Sequence, residues 1–345
     1  MKNTDNLMPL FSKKTAIWTA LGMGAFALAR MVYREMTRYD LHGKVVLITG
    51  GSRGLGLAMA RQFAEKGAKL VICARNKRQL ENARLELEAK GAEVLALCVD
   101  VTSQPEVQNM VQQTIGRFGQ LDVLVNNAGI MTVGPENVME VHDYKNVMNV
   151  NLWSALYTIK AATPHFNSQG EGRIVNICSI GGKIAVPHML PYSVSKFAMV
   201  GLSEGLGAEL KKDNIHVTTV IPNLMRTGSP RNVSVKGDHE VEYAWFKVSD
   251  SFPLFSQNAD SAAKDIITAL EQGKSEVTLT QTAKVAIALH GLMPEAVNSA
   301  MQFANQFLPK SENTETKTGS ESESELSNGM VSSLTDEAAI KYNEL

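Results

Sequence analysis

Short apolar runs rich in β-branched residues alternate with longer stretches of helical periodicity between about residues 41 and 282. Runs of this length indicate strands buried on both faces of a sheet, and they occupy 44–49, 69–73, 93–99, 121–125, 173–177, 215–221 and 276–280. The periodic stretches between them indicate helices, chiefly at 77–90, 106–118, 143–165, 192–211 and 259–272. Strands alternating with helices predict an α/β fold with a parallel sheet and helices on both faces.

A separate segment, residues 1–40, precedes this alternation. Residues 15–29 carry no charge, two lysines come before them and three arginines follow. Extended to residue 33, the stretch is a helix just short of the ~30 Å hydrocarbon core of a bilayer. Residues 15–33 therefore predict a membrane anchor that leaves the following domain in the cytoplasm. Two alternatives stay open: a cleaved signal peptide, and a surface helix of a soluble cytoplasmic protein.

Three stretches interrupt or follow the last strands. Periodicity fails over 223–258, which predicts an insertion acting as an active-site lid. Its aromatic residues favour a bulky or apolar substrate, or else fasten the lid to the body; they are Tyr243, Trp245, Phe246, Phe252 and Phe255. Residues 283–309 form an apolar helical extension expected to pack into the core; a flexible wall of a hydrophobic pocket and a second membrane contact are the alternatives. From 310 to 345 the chain is rich in Ser, Glu and Thr, which predicts a disordered acidic tail. A short helix near residues 334–342, able to bind a partner, is expected at its end.

Composition excludes several classes of function. Lys and Arg number 34 against 35 Asp and Glu, so no basic face for nucleic acid is expected. The seven histidines do not cluster, and no metal site is expected. The three cysteines, Cys73, Cys98 and Cys178, lie in or next to apolar runs and are read as buried free thiols.

A glycine-rich turn follows the first strand and opens a helix. Glycines let the backbone approach a ligand closely, and the free N–H groups and dipole of a helix N-terminus attract an anion. The turn therefore predicts a pyrophosphate site made by Gly50, Ser52, Arg53, Gly54, Leu55 and Gly56.

The ends of the next strands carry the rest of the predicted cofactor site. The second strand ends at Arg75 with no acidic residue, and Arg53 is a second cation, so NADP is favoured over NAD. The alternative is that both arginines are surface charges in contact with water and have no role in cofactor binding. Asp100, with Val101, follows the third strand as an adenine contact or a simple turn. Asn127, Ala128 and Gly129 follow the fourth strand, where a small residue lets a cofactor lie close.

Tyr192 and Lys196 stand one helical turn apart and would share a face. An adjacent ammonium is expected to lower the pKa of the phenol, which is about 10 in solution, and to make it a proton donor or acceptor near neutral pH. Ser179 precedes this pair at the end of the fifth strand. Asn151 lies within an apolar helix, where its amide serves either structure or chemistry.

These motifs stand together in an order that resembles the short-chain dehydrogenase/reductase family, over about residues 41–280 and in its single-domain branch. The residues on which the resemblance rests are Thr49-Gly50-x-x-x-Gly54-x-Gly56, Asn126-Asn127-Ala128-Gly129, Asn151, Ser179 and Tyr192-x-x-x-Lys196. The resemblance implies a Rossmann doubly wound sheet of about seven strands in the order 3-2-1-4-5-6-7. It also implies a homodimer or homotetramer.

The resemblance further implies a role for each site residue. Tyr192 would be the general acid or base, and Ser179 would hydrogen-bond the same substrate oxygen. Lys196 would bind the nicotinamide ribose, and Asn151 would position a water for proton relay. Pro222 and Thr227 would contact the cofactor, although Asn223 replaces the glycine usual after Pro222.

Together these features predict an NADP(H)-dependent oxidoreductase that interconverts a carbonyl and an alcohol on a hydrophobic substrate, such as a ketoacyl, lipid or steroid compound. A function of another class stays open: a non-catalytic NADP-binding redox sensor or membrane scaffold on the same fold.

Overall fold

A computed structural model of the protein describes residues 13–251, 256–327, 329 and 333–345. Seven strands of this part form one sheet in the order β3-β2-β1-β4-β5-β6-β7, and all neighbours pair in parallel. The predicted α/β class and strand order are confirmed. The strands are β1 Val45–Thr49, β2 Lys69–Ala74, β3 Val94–Cys98, β4 Val123–Asn126, β5 Gly172–Ile177, β6 Ile215–Ile221 and β7 Glu276–Thr278.

Helices cover both faces of the sheet. Together with those that lie away from the sheet, the α-helices of the described residues are α1 Lys13–Met36, α2 Gly54–Glu65, α3 Lys77–Ala89, α4 Gln104–Phe118, α5 Val141–Met148, α6 Ser154–Gln169, α7 Leu190–Glu209, α8 His239–Ser251, α9 Ala259–Glu271, α10 Gln281–Leu292, α11 Pro294–Asn305 and α12 Ser333–Lys341. Successive residues of β1 point to opposite faces, and all are buried. Val46 and Ile48 join a core with α2, α3 and α9, whereas Val45 and Leu47 join one with α4 and α6. This double burial explains why the strands are continuously apolar.

Helix α1 includes the predicted anchor and continues to Met36. Several of its apolar side chains are exposed, including Trp18, Leu28 and Met31. In the part of the chain that the structure describes, no helix is both long and apolar enough to cross a membrane. The predicted transmembrane span is therefore not supported.

The insertion predicted at 223–258 is folded. Leu224–Arg226 pairs in parallel with Ser256–Asn258, and α8 falls between these two short strands in the sequence. Tyr243 and Phe246 on α8 are buried in a small core, so they fasten the insertion to the body. Phe252 and Phe255 lie outside the described residues.

The expectation that residues 283–309 pack into the core is wrong. In α10 only Ala283 is buried, and in α11 no residue is. Apolar side chains such as Leu292 and Phe303 are exposed. Similarly, Cys73 and Cys178 are buried, but Cys98 is exposed.

The predicted disordered tail is instead docked on the body wherever the structure describes it. Lys317–Thr318 forms an antiparallel pair with Ser234–Val235, and α12 packs near α8. The side chain of Lys247 on α8 is fully buried, and its Nζ lies 2.7 Å from Glu323 and 3.0 Å from Asp336. The acidic residues of the tail thus neutralise a cation that would otherwise be buried without a partner, which is very unfavourable.

Candidate active site

The carboxyl ends of β1 and β4 are tied together by side chains. The hydroxyl of Thr49 accepts hydrogen bonds from the backbone N–H groups of Asn127 and Ala128, at 3.0 and 3.1 Å. The Asn127 amide donates to the carbonyls of Thr49 and Gly50, at 3.0 and 3.1 Å. One layer deeper, Asn126 donates to Asn176 on β5 at 2.9 Å. The amides therefore hold the edge of the sheet where ligands bind in open α/β folds.

The glycine turn has the form that a pyrophosphate requires. Gly50 has φ +64°, and a Cβ on Gly56 would overlap the Gly50 carbonyl oxygen. Helix α2 begins at Gly54, and the N–H groups of Leu55 and Gly56 have no protein acceptor among the described residues. These free donors at a helix N-terminus fit an anionic group.

The predicted cofactor residues around this turn differ in their surroundings. Arg75 at the end of β2 is exposed. Arg53 hydrogen-bonds Asn232 and pairs with Glu344, with Nε 3.5 Å from its carboxylate. Thr227 is buried, and its Cβ lies 3.9 Å from the position of a Cβ on Gly54.

Three other predicted cofactor residues have local structural contacts. Asp100 accepts hydrogen bonds from the N–H and hydroxyl of Thr102, at 2.9 and 2.8 Å, as a turn former does. Val101 is buried in the core. The carbonyl of Pro222 accepts a bond from the Ile180 N–H at 2.8 Å.

The structure brings Tyr192, Ser179 and Lys196 together. Tyr192 and Lys196 both lie on α7, and the Lys196 Nζ is 5.6 Å from the centre of the Tyr192 ring. Ser179 follows β5, and its Oγ and the Tyr192 ring lie 3.5 and 3.3 Å from the position that a Cβ on Gly181 would occupy. The Ser179 Oγ also accepts the Gly181 N–H at 3.0 Å, and the Lys196 ammonium donates to the Ile177 carbonyl at 2.8 Å.

Asn151 lies in a π-helical turn, Asn149–Trp153, between α5 and α6. Its Oδ1 accepts the Ile130 N–H at 2.8 Å, and its Nδ2 donates to the Ile130 carbonyl and to the Ser195 hydroxyl, both at 2.9 Å. The amide therefore joins the loop after β4 to α7. Such π turns are frequent at functional sites.

The short chain dehydrogenase family model matches residues 44–236, which include the glycine turn and the Tyr192–Lys196 pair. The chain belongs to the short-chain dehydrogenase/reductase (SDR) family.

Known SDR proteins resemble this chain over most of its length. An Arabidopsis thaliana protein named 11-beta-hydroxysteroid dehydrogenase 1A is 32% identical, over 79% of this chain and 78% of its own. A gluconate 5-dehydrogenase structure from Burkholderia cenocepacia, in complex with NADP and tartrate, is 27% identical with a TM-score of 0.64, covering 73% of this chain and 99% of that one. An SDR structure from Burkholderia phymatum in complex with NAD is 25% identical with a TM-score of 0.69, covering 75% and 96%.

The charge state of this SDR site differs from the sequence expectation. Burial raises the pKa of Tyr192 to about 12, and the nearby Ser179 hydroxyl offsets this only in part. Burial also lowers the pKa of Lys196. The expected net lowering of the Tyr192 pKa is therefore not found in the protein without a bound cofactor, because desolvation of the phenolate is the largest effect on that pKa.

Sequence reasoning missed a buried group that braces the SDR catalytic loop. His188 lies between Ser179 and Tyr192 with φ +60°, and its Nδ1 is 2.7 Å from the fully buried carboxylate of Glu242. The Trp245 ring N–H donates to the same carboxylate at 2.7 Å. Because 54 positions separate His188 from Glu242, no local pattern could have linked them.

Among the residues that the structure describes, Glu140, His142 and Asp143 lie close enough together to hold a metal ion. Asp143 already accepts the Glu140 N–H at 2.8 Å and the ammonium of buried Lys236 at 2.7 Å. A resident cation therefore already neutralises this cluster.

Proposed function

We propose that this SDR is an NADP(H)-dependent carbonyl reductase or alcohol dehydrogenase for a hydrophobic substrate, with Tyr192 as its general acid or base. Membership of the SDR family supports the reaction type, which is the interconversion of a carbonyl and an alcohol. The observation that carries the proposal is that Ser179 and Tyr192 meet next to Gly181, with the Lys196 ammonium 5.6 Å from the Tyr192 ring on the same helix.

The chain's own groups supply proton transfer and orientation in this proposal. In the reducing direction, the Tyr192 hydroxyl gives its proton to the carbonyl oxygen while the Ser179 hydroxyl hydrogen-bonds the same oxygen. The Lys196 ammonium stabilises the phenolate that remains. A bound nicotinamide supplies or accepts the hydride. Asn151 holds the loop after β4 against α7. We also propose that its amide positions a water molecule that passes protons between Lys196 and solvent.

The preference for NADP is proposed from the charges around the adenosine end. No acid stands at the end of β2 to accept the ribose 2′-hydroxyl, whereas Arg75 is exposed there and free to meet a 2′-phosphate. Arg53 lies at the glycine turn and adds a second cation.

Replacing Arg75 with glutamine is expected to weaken NADPH binding about tenfold and NADH binding less than about twofold, because only NADPH carries the 2′-phosphate. Fluorescence titration of both cofactors measures this difference. Lys77→Gln removes an exposed charge two residues away and serves as the matched control. Equal losses for the two cofactors would reject the assignment of Arg75.

A cavity next to the catalytic loop supports a hydrophobic substrate. Its volume is about 840 Å³, and its walls come from the loop before Tyr192, from the segment 135–137 and from α11. Its lining is mixed: apolar side chains, including Val186, Leu190 and Met301, alternate with polar ones such as His188 and Asn298, and the apolar part of the substrate is proposed to lie against the former.

Met301→Gln is expected to raise KM for apolar ketones about tenfold and leave kcat nearly unchanged, because it adds an amide that the ligand must desolvate. Steady-state kinetics on a series of ketones of increasing length measures the effect. Met293→Gln changes an exposed methionine near α11 and is the control. An unchanged KM across the series would show that substrate binds elsewhere.

The experiment that tests the proposed function is a screen for NADPH oxidation against hydrophobic ketones and aldehydes. Carbonyl-dependent oxidation that yields an equal amount of alcohol supports it. Tight NADPH binding with no carbonyl-dependent oxidation in the whole panel would favour the redox sensor instead.

A further inference from the structure

The end of the described chain lies in the glycine turn. The N–H of Gly54 donates to the Tyr342 carbonyl at 2.9 Å. The Asn343 amide donates to the carbonyls of Ser52 and Gln79, at 2.9 and 2.8 Å. Residues 342–345, called the plug below, thus cover the turn with backbone and side-chain bonds.

Glu344 places a carboxylate against the anion-binding end of α2. Its Oε1 is 2.6 Å from the position that a Cβ on Gly54 would occupy. Its Oε2 accepts a hydrogen bond from Asn232 at 2.6 Å and lies 3.5 Å from the Arg53 guanidinium. The side chain is buried, so the contact is part of the packed structure.

The plug is anchored by structure before it. Tyr342 is buried in the same core as α2, and the Arg61 guanidinium lies 5.6 Å from its ring centre. Ala339 on α12 packs against Gly228, which has φ +92° and where a Cβ would meet the Ala339 Cα at 2.5 Å. The position of the plug therefore follows from several contacts of α12 and Tyr342.

The plug and a dinucleotide would bind the same part of the glycine turn. Both need the space left by Gly54, the field of the α2 N-terminus and the Arg53 cation. A buried carboxylate beside a pyrophosphate would add a like charge in a poorly solvated place. Burial already raises the pKa of Glu344 to about 7, with Arg53 opposing the shift.

We propose that the dinucleotide site has a second ligand, the chain's own acidic plug, which must leave the glycine turn before the cofactor binds. The inference rests on the proposed function, because it takes this turn as the cofactor site. Its ligand class is an acidic peptide that contains the pattern Tyr-Asn-Glu-Leu.

Apparent cofactor affinity is then reduced by the fraction of molecules whose plug is docked. Anything that draws the plug or α12 away, such as a partner of the acidic tail, raises that affinity with no change in the site itself.

The test compares NADPH dissociation constants of the full chain, of Glu344→Gln and of a chain lacking 343–345, which keeps the buried Tyr342. Removing the plug is expected to tighten NADPH binding about tenfold or more in the shortened chain, because the turn is then open to the cofactor in every molecule. Glu344→Gln should show a smaller gain. Glu337→Gln removes an exposed charge from α12 and should change nothing.

A second arm gives a readout without cofactor turnover. A labelled peptide of residues 338–345 is expected to bind a chain that lacks residues 338–345, in which the sites of Ala339, Tyr342 and Glu344 are vacated, and to be displaced by NADPH, in fluorescence anisotropy. If the shortened chain does not fold, Glu344→Gln and its control carry the comparison alone.

The outcomes separate the two proposals. Equal NADPH affinity in all forms with no peptide binding overturns the plug and leaves the proposed function intact. Weaker NADPH binding in the shortened chain also overturns it, because the segment would then be a wall of the cofactor site. Peptide binding with no binding of NADPH or NADH supports the peptide site and overturns the proposed function.

Discussion

Tyr192→Phe is expected to lower kcat for carbonyl reduction by about 10²- to 10⁴-fold, the usual contribution of general acid catalysis. The change removes only the hydroxyl, which is the proposed proton donor beside Ser179. The ring and its packing stay, so NADPH should bind the variant nearly as well as the parent. Stopped-flow reduction together with a fluorescence titration separates the two effects.

Tyr33→Phe is the matched control for that experiment. It removes a hydroxyl from the exposed surface of α1 and should leave both kcat and NADPH binding unchanged. Near-normal reduction by Tyr192→Phe would remove Tyr192 from the proposed role. Loss of NADPH binding together with kcat would instead assign the hydroxyl to cofactor binding.

The pH dependence of the two reaction directions is expected to differ strongly. With its pKa raised to about 12 by burial, Tyr192 is protonated at neutral pH and ready to act as an acid. The oxidising direction needs the phenolate, whose fraction grows about tenfold per pH unit below that pKa. Oxidation should therefore accelerate about a thousandfold between pH 7 and pH 10, whereas reduction stays nearly flat.

Initial rates in both directions across this range, with saturating cofactor, measure the effect. Unfolding monitored by circular dichroism at each pH checks that the fold persists. An oxidation rate that levels off below pH 8 would contradict the expectation. It would mean that Lys196 and a bound cofactor overcome the desolvation of the phenolate, as the sequence alone had suggested.

The sheet could be predicted because each strand is short, apolar and buried on both faces. Val45 to Ile48 alternate between two cores, so no polar residue interrupts the run. The Tyr192–Lys196 pair could be predicted for a similar reason, since a spacing of four residues on a helix fixes a shared face.

The tail and the charge state of the site could not be predicted, because both depend on distant partners. In the sequence, Glu323 and Asp336 belong to an acidic stretch that is typical of a solvated tail. The structure shows that both carboxylates pair with the buried ammonium of Lys247. The pKa of Tyr192 depends on how fully the fold desolvates it, which spacing does not reveal. Likewise, the helical pattern of α10 and α11 could not decide between packing into the core and an apolar face left at the surface.

The most direct test of the account follows the hydride itself. NADPH carrying deuterium at both C4 positions is incubated with the protein and the hydrophobic ketone that the screen identifies, and the product alcohol is analysed by mass spectrometry. The account predicts one deuterium on the carbinol carbon of the parent product, and product formation reduced by about 10²- to 10⁴-fold with Tyr192→Phe. Alcohol without deuterium, or equal labelled product from both proteins at equal rates, would contradict it.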